Sequence, residues 1–153
     1  MPRNSEMKIG VLGSGSWATA IVKILTTNIH PVYWWIREEE IAESVSQTGY
    51  NTRYLSTAKI DPKKVKISTD IKKVISKCDY IILVVPAAFI DKSLGGLPKG
   101  LLKDKKIISA VKGIVPEKMV IVADYLIREF DVDANSIGII SGPSHAEEIA
   151  AEK

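Results

Sequence analysis

The segment Met7 to Ala20, MKIGVLGSGSWATA, sets two glycines, Gly13 and Gly15, directly after a short apolar run and directly before a stretch with helical character. That placement demands a sharp strand-to-helix turn. Gly13 permits the tight turn, and Gly15 lets the backbone come close to a bound pyrophosphate with no side chain in the way. Ala18, at the third position of the fingerprint, still allows close packing of helix on strand. The free amides at the helix start, including those of Ser16 and Trp17, then face the phosphates, and the helix dipole favours their negative charge. The other reading of the same residues is a tight βα turn that holds no ligand.

Around this turn the chain alternates. Runs rich in Ile and Val, without polar alternation, occur at Lys8 to Leu12, Val32 to Ile36, Val65 to Ile67, Tyr80 to Val85, Lys106 to Ala110 and Ser136 to Ile140. Continuous apolar runs of this length predict strands covered on both faces, as in parallel sheets. Between them, helical character marks Ser16 to Thr27, Glu38 to Gln47, Thr69 to Lys77, a short stretch after Pro86, and Pro116 to Phe130. Strand, helix, strand, helix predicts right-handed crossovers and an α/β doubly wound parallel sheet of the Rossmann dinucleotide-binding type. Residues 1–153 read as one such domain, with a core over 6–143. A last helix begins near Ser144, and residues 144–153 read as its start, leading towards a domain that these residues do not contain.

The composition fits one ordinary domain with enough apolar material for a core: 153 residues, 46% hydrophobic and 25% charged. Lys and Arg number 21 against 18 Asp and Glu, a net charge of +3, which is too mild to argue for nucleic acid. The basic groups, such as Lys63-Lys64 and Lys72-Lys73, are mixed with acids and read as solvated faces. The polar start, Met1 to Glu6, followed by glycine-interrupted apolar residues, is neither a signal-peptide core nor a membrane span. One cysteine, Cys78, has no partner for an intramolecular disulfide. A cytoplasmic protein with no membrane partner is expected.

The second apolar run, Val32-Tyr33-Trp34-Trp35-Ile36, ends in Arg37 followed by Glu38, Glu39 and Glu40. At this distance past the glycines an acid binds ribose hydroxyls, whereas an arginine accommodates a 2′-phosphate. Arg37 stands first, so NADPH is favoured and NADH stays open. The three acids fall where a helix begins, and negative charge there is favourable without any ligand. Trp34 and Trp35 point to opposite faces of the strand and read as packing residues.

Six segments carry a resemblance that spans essentially the whole chain: GSGSWATA (Gly13 to Ala20), WIR (Trp35 to Arg37), NTRYL (Asn51 to Leu55), VVPAAFI (Val84 to Ile90), KGI (Lys112 to Ile114) and SGPSHAEEIA (Ser141 to Ala150). In these the sequence resembles the N-terminal cofactor domain of the NAD(P)-dependent sn-glycerol-3-phosphate dehydrogenases. It departs from the family pattern at Ala18, at Ser56-Thr57 where Pro-Gly is usual, and at His145 where Phe is common. The resemblance implies that Ser16, Trp17 and Arg37 contact the dinucleotide, with Phe89 beside it and Ala146 touching it. It implies that Lys112 lies near both nicotinamide and substrate, and that Gly142 and Ser144 help to hold the substrate.

The same resemblance implies an oxidoreductase that transfers a hydride between NAD(P)H and dihydroxyacetone phosphate or sn-glycerol 3-phosphate, supplying glycerol 3-phosphate for glycerophospholipid synthesis. It implies a helical C-terminal domain that carries the general acid/base lysine, so that these residues alone bind cofactor without turnover; a homodimer of the longer protein is compatible with it. Two alternatives share the glycine turn: a stand-alone dinucleotide-sensing module, and a Rossmann dehydrogenase of the 6-phosphogluconate or hydroxyacid type.

Read on their own chemistry, Ala110 to Lys112 and Ser141 to Ser144 follow strands, as does Val85-Pro86, and ligands of open α/β sheets bind beyond the carboxyl ends of strands. An ammonium group such as that of Lys112, set near a carbonyl and a phosphate ester, stabilises oxygen charge. Otherwise it is one more solvated lysine. Ser144 with Glu147 three residues on fits a capping box, a role compatible with substrate binding. His30 reads as a loop residue entering the second strand and His145 as structural. Cys78 reads as a small buried apolar residue. Asn51, Arg53 and Tyr54 fall in a loop that either orders a lid or terminates a helix.

Overall fold

The computed structural model describes residues 6–141 and 145–151. Its elements in chain order are β1 (Ile9–Leu12), α1 (Ser16–Leu25), β2 (Val32–Trp35), α2 (Glu39–Thr48), β3 (Tyr50–Asn51), β4 (Leu55–Lys59), β5 (Val65–Ser68), α3 (Ile71–Lys77), β6 (Tyr80–Leu83), α4 (Ile90–Leu94), β7 (Lys106–Ser109), β8 (Ile114–Val115), β9 (Val120–Ile121), α5 (Val122–Phe130), β10 (Ile137–Ile139) and α6 (Ala146–Ala150). Short 3-10 turns punctuate the connections.

Six strands form one sheet in the order β10-β7-β6-β1-β2-β5, and every neighbouring pair is parallel. The chain builds outwards from β1 through β2 to β5, crosses back, and builds outwards again through β6, β7 and β10. Strand order therefore reverses between β1 and β6, where the two half-windings leave a crevice at the carboxyl ends.

Burial on both faces explains the unbroken apolar runs. Val11, Trp34 and Ile36 join α1 residues Ile21 and Val22 and α2 residues Ile41 and Val45 in a core on one face. Leu12, Trp35 and Leu83 join Val74 and Ile75 of α3, Leu94 of α4, and Tyr125 and Leu126 of α5 in a core on the other. Trp34 and Trp35 thus do face opposite sides. α5 is the clearest amphipathic element, burying Val122, Tyr125, Leu126 and Phe130 at helical spacing. Tyr125 Oη donates to Asp91 Oδ1 at 2.8 Å and ties α5 to α4. α3 is capped at its start by Asp70, whose Oδ1 accepts from the Lys72 amide at 3.0 Å. α2 stops at Gly49, whose φ of 82° closes the helix in the left-handed region.

Three local expectations differ from the structure. Pro116 to Phe130 does not form one helix: β8 and β9 pair antiparallel, Ile114 with Ile121 and Val115 with Val120, and α5 begins only at Val122. Pro116 lacks an amide, and the amides of Lys118 and Met119 return to the Val115 carbonyl with Met119 at φ 54°, so the segment closes a hairpin turn instead. Asn51 to Tyr54 is not simply a loop, because β3 and β4 pair antiparallel across it. The last helix has His145 at its N-cap with no side-chain capping bond and starts at Ala146; the proposed cap Ser144 lies outside the described residues.

Cys78 is free and buried. A Cβ added at Gly10 would meet its Sγ at 2.9 Å, so the thiol fills space beside β1 that only glycine leaves open. Burial pushes the Cys78 thiol up to about 11. Among the described residues no helix is long and apolar enough to cross a membrane.

Candidate functional site

The crevice at the reversal point holds a cavity of about 300 Å³, lined by Gly13 to Ala18 on one side, by Trp35, Arg37 and Glu38 at the end of β2, by Tyr54, and by Val84, Val85, Pro86, Phe89 and Ser93 after β6. The glycine turn forms its floor. Gly13 adopts φ 144°, and a Cβ there would lie 2.8 Å from the Val84 carbonyl oxygen, so only glycine lets β1 leave the sheet this close to β6. At Gly15 an added Cβ meets nothing within 4 Å. Its want of a side chain is not required by packing within the described residues, and it leaves open space on the cavity side.

α1 starts at Ser16 with Gly15 at the N-cap, no side chain caps its first amides, and its first turn carries no acid. An uncapped helix start aimed into a crevice is a site for anionic groups. The turn is held from outside. Trp34 Nε1 donates to the Gly13 carbonyl at 2.7 Å in a buried bond, Asn51 Nδ2 donates to the Ser14 carbonyl at 2.8 Å, and the Gly13 amide donates to the Trp35 carbonyl at 3.3 Å. Thr19 Oγ1 accepts from Asn51 Nδ2 at 2.9 Å and donates to the Gly15 carbonyl at 2.8 Å. Tyr54 closes one wall, its carbonyl accepting from Ser16 Oγ at 2.6 Å and its amide donating to Asn51 Oδ1 at 3.2 Å.

At the far end, Arg37 and Glu38 form an ion pair, Nη2 to Oε1 at 2.9 Å, while Ser14 Oγ donates to Glu38 Oε2 at 2.6 Å. Glu38 occupies the N-cap position of α2 but makes no capping bond. Its expected capping role is therefore corrected; Glu39 and Glu40 do lie in the first turn of that helix. Partial burial acts to raise the Glu38 carboxyl, but hydrogen bonds from Ser14 and its own amide, together with Arg37, outweigh this and hold it below the ordinary carboxylate range. The Arg37 guanidinium also lies 5.9 Å from the centre of the half-exposed Phe89 ring, bridging the ends of β2 and β6 across the cavity mouth.

Gly13, Gly15, Ser16, Trp17, Arg37 and Phe89 thus share one cavity. Lys112 and Ala146 do not line it. Lys112 is exposed on the loop after β7, at the same carboxyl end of the sheet, and Gly113 beside it turns at φ 92° with its added Cβ 3.9 Å from that of Ala87. Ala146 opens α6, which packs on α1 near Trp17 and is tied there by Lys23 Nζ donating to the Ala150 carbonyl at 2.6 Å. Gly142 and Ser144 lie outside the described residues. Sequence reasoning missed the holding roles of Asn51 and of the Ser14–Glu38 pair; a buried asparagine inside a polar segment leaves no periodic trace.

Residues 8–153 match the family described as NAD-dependent glycerol-3-phosphate dehydrogenase N-terminus. The glycerol-3-phosphate dehydrogenase [NAD(P)+] of Oceanobacillus iheyensis is 35% identical over 144 residues, covering 94% of this chain and 41% of the relative. The enzyme of the same name from Bacillus subtilis is 32% identical over 143 residues, covering 93% and 41%. Among solved structures, a glycerol-3-phosphate dehydrogenase of Plasmodium falciparum superposes with a TM-score of 0.84 at 29% identity, covering 98% of this chain and 44% of that one. The Coxiella burnetii enzyme gives 0.81 at 27%, covering 95% and 44%. The chain spans less than half the length of these relatives. With its all-parallel sheet, its reversal-point cavity and a match running through nearly every residue, the chain belongs to the family of NAD-dependent glycerol-3-phosphate dehydrogenase N-terminal domains.

Proposed function

We propose that this chain acts as one dinucleotide-binding domain that holds NADH or NADPH for reversible hydride transfer between dihydroxyacetone phosphate and sn-glycerol 3-phosphate. One observation carries the reading: the Gly13–Gly15 turn presents an uncapped helix start to a cavity at the point where strand order reverses. The turn and the amides of Ser16 and Trp17 would hold the pyrophosphate, and Arg37 and Phe89 would hold the adenosine end. When bound, the nicotinamide would supply the hydride in reduction and accept it in oxidation, and the chain's own residues would bind and orient it.

Lys112 is assigned to the substrate and nicotinamide, supported by its exposed loop at the carboxyl end of β7 and by family membership. Ala146 at the start of α6 is assigned to the cofactor, and Gly142 and Ser144, which lie outside the described residues, to the substrate. The general acid/base lysine that the resemblance implies is not among these residues, so the 153-residue chain is expected to bind cofactor without turning it over. A cytoplasmic setting, supported by a single buried cysteine, a homodimer of the longer protein and supply of glycerol 3-phosphate to glycerophospholipid synthesis belong to the same proposal.

Calorimetric titration of the chain with NADH and with NADPH tests it. Saturable one-to-one binding that Gly15→Val abolishes is the expected result; absence of binding by both dinucleotides rules the reading out.

A further inference from the structure

Arg37 taken alone reads as a site for a 2′-phosphate. The structure puts it in a different setting. Among the described residues that line the cavity, Arg37 and Glu38 are the charged ones, and they are paired with each other at 2.9 Å. Glu38 is also the better fixed of the two. Its side chain is 17% exposed against 53% for Arg37. Both its carboxylate oxygens are engaged, one by Arg37 and the other by Ser14 on the glycine turn. Because the helix does not use it as a cap, its carboxylate spans the gap between the glycine turn and the end of β2.

We propose that Glu38 is the specificity-determining residue of this site: anchored by Ser14 and neutralising Arg37, it turns the chain towards NADH and against NADPH. The proposal rests on the dinucleotide reading above. A ribose with free 2′- and 3′-hydroxyls brings donors that a carboxylate accepts, and it leaves the Arg37–Glu38 pair intact. A 2′-phosphate brings nearly two negative charges to within a few ångströms of a carboxylate, and the cation that would receive it is already paired. The carboxylate is ionised at neutral pH, since Ser14, its own amide and Arg37 outweigh the effect of burial. The pair therefore presents no net charge to the incoming ligand, and the fixed member is the anion.

The test compares the 153-residue chain with Glu38→Gln, which keeps the size and the Ser14 contact, and with Glu38→Ser, which removes the carboxylate by a smaller side chain. Each is titrated with NADH, NADPH, adenosine 5′-monophosphate and adenosine 2′,5′-bisphosphate. The unaltered chain is expected to bind NADH more tightly than NADPH. Both variants are expected to shift the NADPH-to-NADH affinity ratio towards NADPH by about tenfold or more, the scale of removing one charge from a partly screened site, with the same shift in the two adenosine probes. A general loosening of the turn would weaken all four ligands together and leave the ratio in place. Preference of the unaltered chain for NADPH, or an unmoved ratio in the variants, overturns the assignment to Glu38 while leaving dinucleotide binding standing. Failure of the unaltered chain to bind either dinucleotide overturns the dinucleotide reading and this inference with it.

Discussion

Asn51 Nδ2 donates to the carbonyl oxygen of Ser14 at 2.8 Å, so that a side chain on the two-residue strand β3 fixes the backbone of a turn 37 positions earlier. The same nitrogen donates to Thr19 Oγ1 at 2.9 Å, and that hydroxyl in turn donates a hydrogen bond to the Gly15 carbonyl at 2.8 Å. The middle and the helix-side end of the glycine turn are thereby pinned through one fully buried amide. The direction in which this turn presents its amides is thus set in part from β3.

Asn51→Leu removes both donated bonds and the one its Oδ1 accepts, so the Ser14 carbonyl and the Tyr54 amide lose these partners while the Thr19 hydroxyl keeps its bond to the Gly15 carbonyl. Each unpaired buried group costs about 1–3 kcal/mol, so a lower Tm and a loss of NADH affinity of roughly tenfold are expected together. Thermal melting paired with calorimetry checks this. Equal affinity in a variant that has lost stability would show that Asn51 supports the fold without aligning the turn.

The two glycines of the turn separate in their effects. Gly13→Ala forces a Cβ to 2.8 Å from a backbone oxygen at a φ of 144° and is expected to cost several kcal/mol, of the order of the larger single-site losses. Gly15→Ala meets no atom within 4 Å and is expected to leave the unfolding free energy within about 0.5 kcal/mol of the parent, while cutting dinucleotide affinity at least tenfold. Urea unfolding of both variants next to NADH titration distinguishes the roles; a Gly15→Ala chain that binds as well as the parent would contradict the close approach of ligand to that backbone.

Trp34→Phe keeps an aromatic ring in the core but loses the 2.7 Å bond to the Gly13 carbonyl. The expected loss is about 1–3 kcal/mol for the stranded buried acceptor, beyond the small change in buried area. Its position beneath the turn predicts a weakened NADH titration as well, measured at a temperature where the variant is fully folded.

Cys78 gives an alkaline signature. Its thiol has an ordinary value of 9.0 and is raised to about 11 in the fold by burial. The folded form therefore keeps its proton where the unfolded chain loses it, and the stability linked to this group, intact below pH 9, is lost as pH rises from 9 to 11 at about 1.4 kcal/mol per pH unit. The difference between parent and Cys78→Ala unfolding free energies should shrink across that window. At pH 8 the native thiol should resist iodoacetamide and react at once in denaturant; rapid labelling of folded protein would refute its sequestration.

The layered architecture and the location of the crevice were legible because they rest on short-range patterns. Unbroken apolar runs separated by helical stretches point to a parallel sheet covered on both faces, and a strand–Gly–helix turn leaves amides free at the start of the helix. Gly13, Gly15, Ser16, Trp17 and Arg37 are found this way and Phe89 through the family resemblance, and all six line one cavity. The hairpin of β8 and β9 was not legible, since residues 116–121 carry apolar spacing that fits a helix equally well until Pro116 and the turn at Met119 decide it.

By itself the sequence determined which runs are buried and that a glycine turn leads from β1 into α1, because periodicity and glycine placement act over a few residues. The tertiary structure alone decided that Asn51 and Trp34 hold that turn and that Glu38 swings away from its own helix to pair with Ser14 and Arg37. Ser14 and Glu38 stand 24 residues apart, and no local propensity encodes a hydrogen bond whose two ends meet only after β1 and β2 lie side by side in the sheet.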